Sequence, residues 1–180
     1  MSFPQPAVFV DRDGTLIEEV NFLSRVEDLR LFSFTGAAIS MLKNAGFLII
    51  VITNQSGIGR GLYDHAAMQS IHDAIQQRLG GAIDAFYFCP HLPSAECACR
   101  KPNLGMIEAA RRDFDIDMTR SWFVGDKKID VEAGHNASIP SAMVLTGYGK
   151  KHLPLIGEKA DFVGEDLLAA AEHIVQYSAR

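Results

Sequence analysis

The chain has 180 residues, 48% of them hydrophobic, with 22 acidic against 17 basic side chains and a formal net charge of −5. That length suits one domain with a sizeable core, residues 1–180, and makes a second independent domain hard to accommodate. No Lys/Arg block offers a nucleic-acid footprint, no apolar run approaches a membrane span, and residues 1–6 lack a leader pattern. A soluble, cytoplasmic protein without nucleic acid or membrane as partner is therefore expected. A monomer is the expected state, and the charge balance leaves an anionic small substrate open.

The first apolar run, Ala7–Val10, reads as a strand and leads into Asp11-Arg12-Asp13-Gly14-Thr15. Strand side chains alternate faces, so Asp11 and Asp13 are expected to point at one reacting group while Gly14 lets the chain turn away. One carboxylate can attack phosphorus to form an acyl-phosphate while the other moves protons, and paired carboxylates ask for a cation such as Mg2+. Taken alone, an acidic turn after a strand is an equally good reading. Residues 16–34 are irregular and suggest a flap over the first strand end. Thr35 is the expected N-cap of a helix that carries Ile39 and Leu42 on one face and stops at Gly46. Residues 47–53 form a continuous apolar run, the mark of a strand covered on both sides.

That strand ends in Thr53-Asn54, a hydroxyl and an amide suited to a phosphate oxygen, or equally to ordinary turn chemistry. A helix capped by Asp64 follows, with Met68, Ile71, Ile75 and Leu79 in one stripe and Gly80-Gly81 as its end. Ala85–Cys89 supplies a third strand. Arg100-Lys101-Pro102 then places two cations before a helix over 103–113, whose free N–H groups favour anions. A fourth strand over 121–124 leads to Gly125-Asp126-Lys127-Lys128-Ile129-Asp130, with Asp126 as a candidate metal ligand and Asp130 one helical turn on. A short helix over 129–136, a fifth strand over 142–146 and a last helix over 166–177 complete the chain. Strict alternation of strand and helix predicts an α/β fold, a three-layer Rossmann-like parallel sheet. Ligands in such sheets sit beyond the carboxyl ends of the strands, where Asp11, Thr53 and Asp126 fall.

The three cysteines all lie in the segment from Cys89 to Cys99. Cys89 and His91 form one pair and Cys97 and Cys99 another, together a tetrahedral ligand set for Zn2+. Four protein ligands close the ion to substrate, so a structural zinc loop over 89–99 is expected, pinning Arg100 and Lys101. His65, His72, His135, His152 and His173 show no partner spacing and read as surface residues.

The DxDGT segment, the strand-final Thr53, Lys101 before a helix and the Asp126/Asp130 pair occur in one order and one β/α frame. Together they resemble the haloacid dehalogenase phosphohydrolase superfamily over nearly the whole chain. The resemblance implies that Asp11 is the nucleophile, that Asp13 serves as acid and then base, and that Thr53 and Lys101, with Arg100, hold the phosphoryl group. It further implies Mg2+ held by Asp11, the Asp13 carbonyl and Asp126, with Asp130 orienting the site from behind.

The zinc loop resembles the branch that contains the D-glycero-D-manno-heptose-1,7-bisphosphate 7-phosphatases and the histidinol-phosphate phosphatases. The run Asn54-Gln55-Ser56-Gly57-Ile58-Gly59-Arg60-Gly61 and Lys127 resemble the heptose enzymes, while the short His91–Cys97 spacing resembles the histidinol enzymes and some heptose ones. The heptose resemblance implies release of the C7 phosphate through an aspartyl-phosphate, a step that feeds nucleotide-activated heptose and lipopolysaccharide. It also implies substrate contacts at Glu19, Val20, Asn21, Phe22, Thr53, Asn54, Gln55, Ser56 and Lys127. Arg60, Arg100 and Lys101 would meet the second phosphate. No insert is long enough for a large cap domain. Histidinol phosphate remains an alternative substrate, and an inactive, zinc-stabilised phosphosugar-binding module is the alternative of a different class.

Overall fold

The computed structural model describes residues 3–157 and 159–178. Six strands form one parallel sheet in the order β3-β2-β1-β4-β5-β6: β1 (Ala7–Val10), β2 (Leu48–Asn54), β3 (Ala85–Cys89), β4 (Trp122–Gly125), β5 (Ser141–Val144) and β6 (Phe162–Gly164). The helices are α1 (Thr35–Asn44), α2 (Ser56–Gly59), α3 (His65–Arg78), α4 (Gly105–Asp113), α5 (Lys128–Asn136), α6 (Gly149–Ile156) and α7 (Leu167–Ser178).

Each central strand is apolar on both faces because each face carries its own helical layer. Val8, Val10, Ile49 and Val51 pack with residues of α1, α3 and α7, whereas Ala7, Phe9, Ile50 and Ile52 pack with Met106, Ile107 and Ala110 of α4 and Ala133 of α5. A smaller cluster of Val131, Met143 and Ile156 seats α6 on β5. The described residues contain no inserted cap domain; residues 11–34 instead follow the carboxyl end of central strand β1 and contribute Leu16, Ile17, Leu23 and Leu29 to the core. No helix among the described residues is long and apolar enough to cross a membrane.

Several local expectations need correction. Thr35 is the first residue of α1 rather than its cap, and its buried hydroxyl donates to the Leu16 carbonyl at 2.7 Å, tying the flap down. The elements α2, α6 and β6 went unpredicted. Nor are all the histidines surface residues. His173 stacks on Phe162 with centroids 4.1 Å apart, and His72 is buried against Phe86 at 4.5 Å.

Burial, reinforced by the nearby Arg12 charge, holds the His72 pKa down at about 3. The folded state therefore stays neutral at His72 while the unfolded chain takes up a proton below its ordinary pKa of 6.5. Stability from this group is complete above pH 6.5 and is lost as pH falls towards 3. The buried His72 Nε2 has no hydrogen-bond partner among the described residues, so His72→Phe sacrifices no bond. Denaturant unfolding at pH 7 and pH 5 should show wild type losing on the order of 2 kcal/mol more than His72→Phe. Equal losses would contradict the assignment.

Candidate active site

Parallel pairing puts the carboxyl ends of β1, β2 and β4 side by side, with Val10 in register with both Val51 and Val124. The strand order reverses at β1, so the loops after β1 and β4 part and leave a crevice for ligand. Asp11 leaves β1 with its N–H donating to the Val124 carbonyl at 2.9 Å. Asp13 is not presented by strand alternation. It sits in the turn that follows, where the Gly14 N–H donates to the Ile17 carbonyl at 2.8 Å. Gly14 has φ +83°, and a Cβ there, or at Gly147 of the β5–α6 connection, would collide with the Asp126 carboxylate.

Asp11, Asp126 and Asp130 are buried and bring one oxygen each to within 4.8 Å of the others. Lys101, also buried, places its ammonium 2.8 Å from Asp11 Oδ1 and 2.7 Å from Asp130 Oδ1. Burial opposes that charge, but the Asp11 and Asp130 carboxylates outweigh it and hold the Lys101 pKa above its ordinary value. Asp130 Oδ2 accepts from the Lys127 N–H at 3.0 Å, so both of its oxygens are engaged and it anchors Lys101 and the start of α5. Asp126 differs. Its Oδ2 accepts from the Tyr148 N–H at 2.7 Å, while its buried Oδ1 has no hydrogen-bond partner among the described residues. Burial, then the Asp11 charge, pushes the Asp126 pKa up to about 8. A carboxylate crowded by another and left with a free buried oxygen fits a divalent cation.

Asp13 lies in a fork of Arg12, whose Nε donates to Oδ2 at 2.9 Å and whose Nη2 donates to Oδ1 at 3.0 Å. Burial opposes ionisation of Asp13, but the Arg12 guanidinium prevails and holds it below the usual carboxylate range. Gln55 joins this network, its Nε2 donating to Asp13 Oδ2 at 2.9 Å and to Thr53 Oγ1 at 2.8 Å. The Thr53 hydroxyl thus keeps its own proton to donate. Asn54 spends its amide on the Lys101 main chain, accepting from the N–H at 3.0 Å and donating to the carbonyl at 3.3 Å.

A cavity of about 340 Å³ opens over Asp13. Glu19, Val20, Asn21 and Phe22 form its flap side, and Asn54, Gln55, Ser56, Arg100 and Lys127 also border it. Lys127 reaches back to the flap, 3.3 Å from Glu19 Oε2. Its charge is opposed by burial and sustained by Asp11, Asp126 and Glu19, which raise its pKa. Arg60 lies outside the lining, its guanidinium 5.7 Å from the Phe22 ring centre. Arg100 donates from Nη1 to the His91 carbonyl at 3.2 Å. Arg12, Tyr63, Tyr148 and His152 also line the cavity and were not predicted. Gly147-Tyr148-Gly149 after the fifth strand was the available signal for one of them.

The cysteine segment closes into a compact cluster. Cys89, Cys97 and Cys99 place their sulfurs 3.1–3.5 Å apart, and His91 Nδ1 lies 3.2 Å from Cys99 and 3.5 Å from Cys89. All three cysteines are free of disulfides. Burial opposes the Cys97 thiolate, but hydrogen bonds from Cys89 and Cys99 outweigh it and bring its pKa down to about 6.

The Hydrolase_like family model, described as HAD-hyrolase-like, matches residues 98–170. The D-glycero-D-manno-heptose-1,7-bisphosphate 7-phosphatase of Thermosynechococcus vestitus is 38% identical, with 98% of each chain covered. The D-glycero-alpha-D-manno-heptose-1,7-bisphosphate 7-phosphatase of Photorhabdus laumondii is 40% identical over 78% of this chain and 82% of its own. A crystal structure of D,D-heptose 1,7-bisphosphate phosphatase from B. bronchiseptica, complexed with magnesium and phosphate, superimposes with a TM-score of 0.88 at 35% identity. That likeness covers 96% of this chain and 99% of the other. With the sheet, the Asp11 site and these likenesses in agreement, the chain belongs to the D-glycero-D-manno-heptose-1,7-bisphosphate 7-phosphatase family of haloacid dehalogenase-like hydrolases.

Proposed function

We propose that this protein is a Mg2+-dependent phosphoric monoester hydrolase that removes the C7 phosphate of D-glycero-D-manno-heptose 1,7-bisphosphate, feeding nucleotide-activated heptose and lipopolysaccharide. The observation that carries the reading is the buried Asp11 carboxylate, held 2.8 Å from the Lys101 ammonium beside the free oxygen of Asp126. The names of the relatives favour the heptose bisphosphate over histidinol phosphate. A passive binding module has no use for such a costly concentration of buried charge.

In the first half-reaction an Asp11 carboxylate oxygen attacks phosphorus in line. The bond from phosphorus to the C7 oxygen breaks, and that oxygen takes a proton from Asp13. In the second, Asp13 takes a proton from water, whose oxygen displaces Asp11 and releases inorganic phosphate. The Arg12 fork holds Asp13 in the ionised form that the second half requires, so Asp13 must leave the fork to act as the acid. Lys101 and the Thr53 hydroxyl face the phosphoryl oxygens, where fixed positive charge and donors lower the barrier most. Asp11, Asp126 and the Asp13 carbonyl would hold Mg2+, which when bound supplies charge neutralisation to the same oxygens. Arg100, with Arg60 at the rim, would meet the second phosphate, and Glu19, Val20, Asn21, Phe22, Asn54, Gln55, Ser56 and Lys127 would border the sugar.

Cys89, His91, Cys97 and Cys99 suit tetrahedral Zn2+, a structural ion that would stiffen the loop delivering Arg100 and Lys101. We read residues 1–180 as one phosphatase domain acting as a cytoplasmic monomer, consistent with the acidic charge balance.

Phosphate release with Mg2+ should favour one anomer of the heptose bisphosphate over histidinol phosphate by at least about a hundredfold in kcat/KM. Asp11→Asn should abolish that turnover. Faster turnover of histidinol phosphate would overturn the substrate, and an active Asp11→Asn would overturn the covalent route. Elemental analysis should find one zinc per chain, lost in Cys97→Ser together with a lower Tm. A metal-free wild type of full stability would refute the zinc site.

A further inference from the structure

The connection after β5 holds two cavity-lining side chains to which the mechanism above gives no work, Tyr148 and His152. They stand one helical turn apart, Tyr148 at the cap of α6 and His152 in its first turn, the His152 N–H donating to the Tyr148 carbonyl at 2.9 Å. Their placement is fixed from three sides. The Tyr148 N–H is spent on Asp126 Oδ2, and the Thr146 hydroxyl donates to the Gly14 carbonyl at 2.6 Å. Gly149 lies so close to the Val144 carbonyl that no side chain fits there. The turn carrying Tyr148 is thereby bolted to the loops after β1 and β4 that present Asp11 and Asp126.

His152 is anchored separately. Its Nδ1 accepts from the Lys128 N–H at 3.1 Å, at the start of α5. A neutral imidazole that accepts at Nδ1 carries its proton on Nε2, so the ring's remaining polar function is a hydrogen-bond donor. No hydrogen bond within the described residues engages that donor. Burial, together with the Lys127 and Lys151 charges, lowers the His152 pKa and keeps the ring neutral. The Tyr148 ring meanwhile carries the Lys127 ammonium 5.0 Å from its centre, steering that lysine towards Glu19 and the flap.

We propose that Tyr148 and His152 form a specificity wall for the hydroxylated sugar portion of the substrate, His152 Nε2–H donating to a sugar hydroxyl and Tyr148 setting the position of Lys127. The inference rests on the phosphosugar reading above and adds residues to it. A fixed neutral donor suits a hydroxyl, whereas the phosphates would be met by the cations Lys101 and Arg100. The wall therefore sorts ligands by what the phosphate is attached to.

The test measures kcat/KM for the heptose bisphosphate and for phenyl phosphate, an ester without sugar hydroxyls, in wild type, His152→Ala and His152→Gln. Loss of one hydrogen bond of ordinary strength should lower the sugar-to-phenyl ratio about tenfold in His152→Ala, mainly through KM. His152→Gln, which can accept at its oxygen and donate from its nitrogen, should recover much of that ratio. A high wild-type ratio left unchanged in His152→Ala, or equal losses on both esters, would overturn the wall alone. A wild type that does not prefer the sugar bisphosphate over phenyl phosphate would overturn the substrate reading and the wall with it.

Discussion

Crowding of negative charge at the carboxyl ends of the central strands is the constraint on which the rest of this structure depends. Asp11, Asp126 and Asp130 converge in a buried space, and a single ammonium, that of Lys101, bridges two of them. Repulsion between such carboxylates and their loss of hydration work against folding, which is why burial and the Asp11 charge drive Asp126 up to about 8. The fold holds the group together with backbone donors set by the surrounding loops. Backbone N–H groups of Arg12, Lys127 and Tyr148 donate to Asp11, Asp130 and Asp126 respectively. Strain of this kind, maintained by well-packed strands on either side, is characteristic of sites that bind a cation and an anionic substrate.

Lys101 can play its part only because a second structure delivers it. Its main chain is gripped by Asn54 at the end of β2, and it follows Cys99 by two residues. Asn103 donates to the Cys97 carbonyl at 2.8 Å and Arg100 to that of His91, so the chain is tied back into the cysteine loop both at Arg100 and two residues after Lys101. The loop is thus the mount of Arg100 and Lys101. A closed four-ligand ion would stiffen it without entering the chemistry, and Arg12, Gln55, Thr53 and Tyr63 form the matching mount on the Asp13 side.

The strands of the central sheet were legible because they are buried on both faces and read as unbroken apolar runs, as in Ala7–Val10 and Leu48–Asn54. The Asp64 cap was legible for a similar reason, since its carboxylate accepts from the Ala67 N–H within its own turn. What escaped was short or set by tertiary contact. β6 has three residues, α2 has four, and α6 contains Pro154 and a run of cations that hide its helical period. Thr35 looked like a cap because local hydrogen bonding is the only competitor visible in a sequence, yet its hydroxyl finds a carbonyl nineteen residues away. His72 has no spacing to mark it as core. The motif aspartates were found for a partly mistaken reason: Asp13 reaches the cavity from a turn, held by the Arg12 between the two acids. Tyr148 and His152 belong to the cavity only because α6 packs against β5, a contact no local pattern announces.

Unfolding free energies of wild type and Asp126→Asn at about pH 8, each with and without added Mg2+, test the central claim most directly. Without Mg2+ the variant, relieved of one crowded buried charge, should be the more stable, and only wild type should gain when Mg2+ is added. A variant less stable than wild type in the absence of Mg2+, beside a wild type indifferent to the ion, would contradict the account.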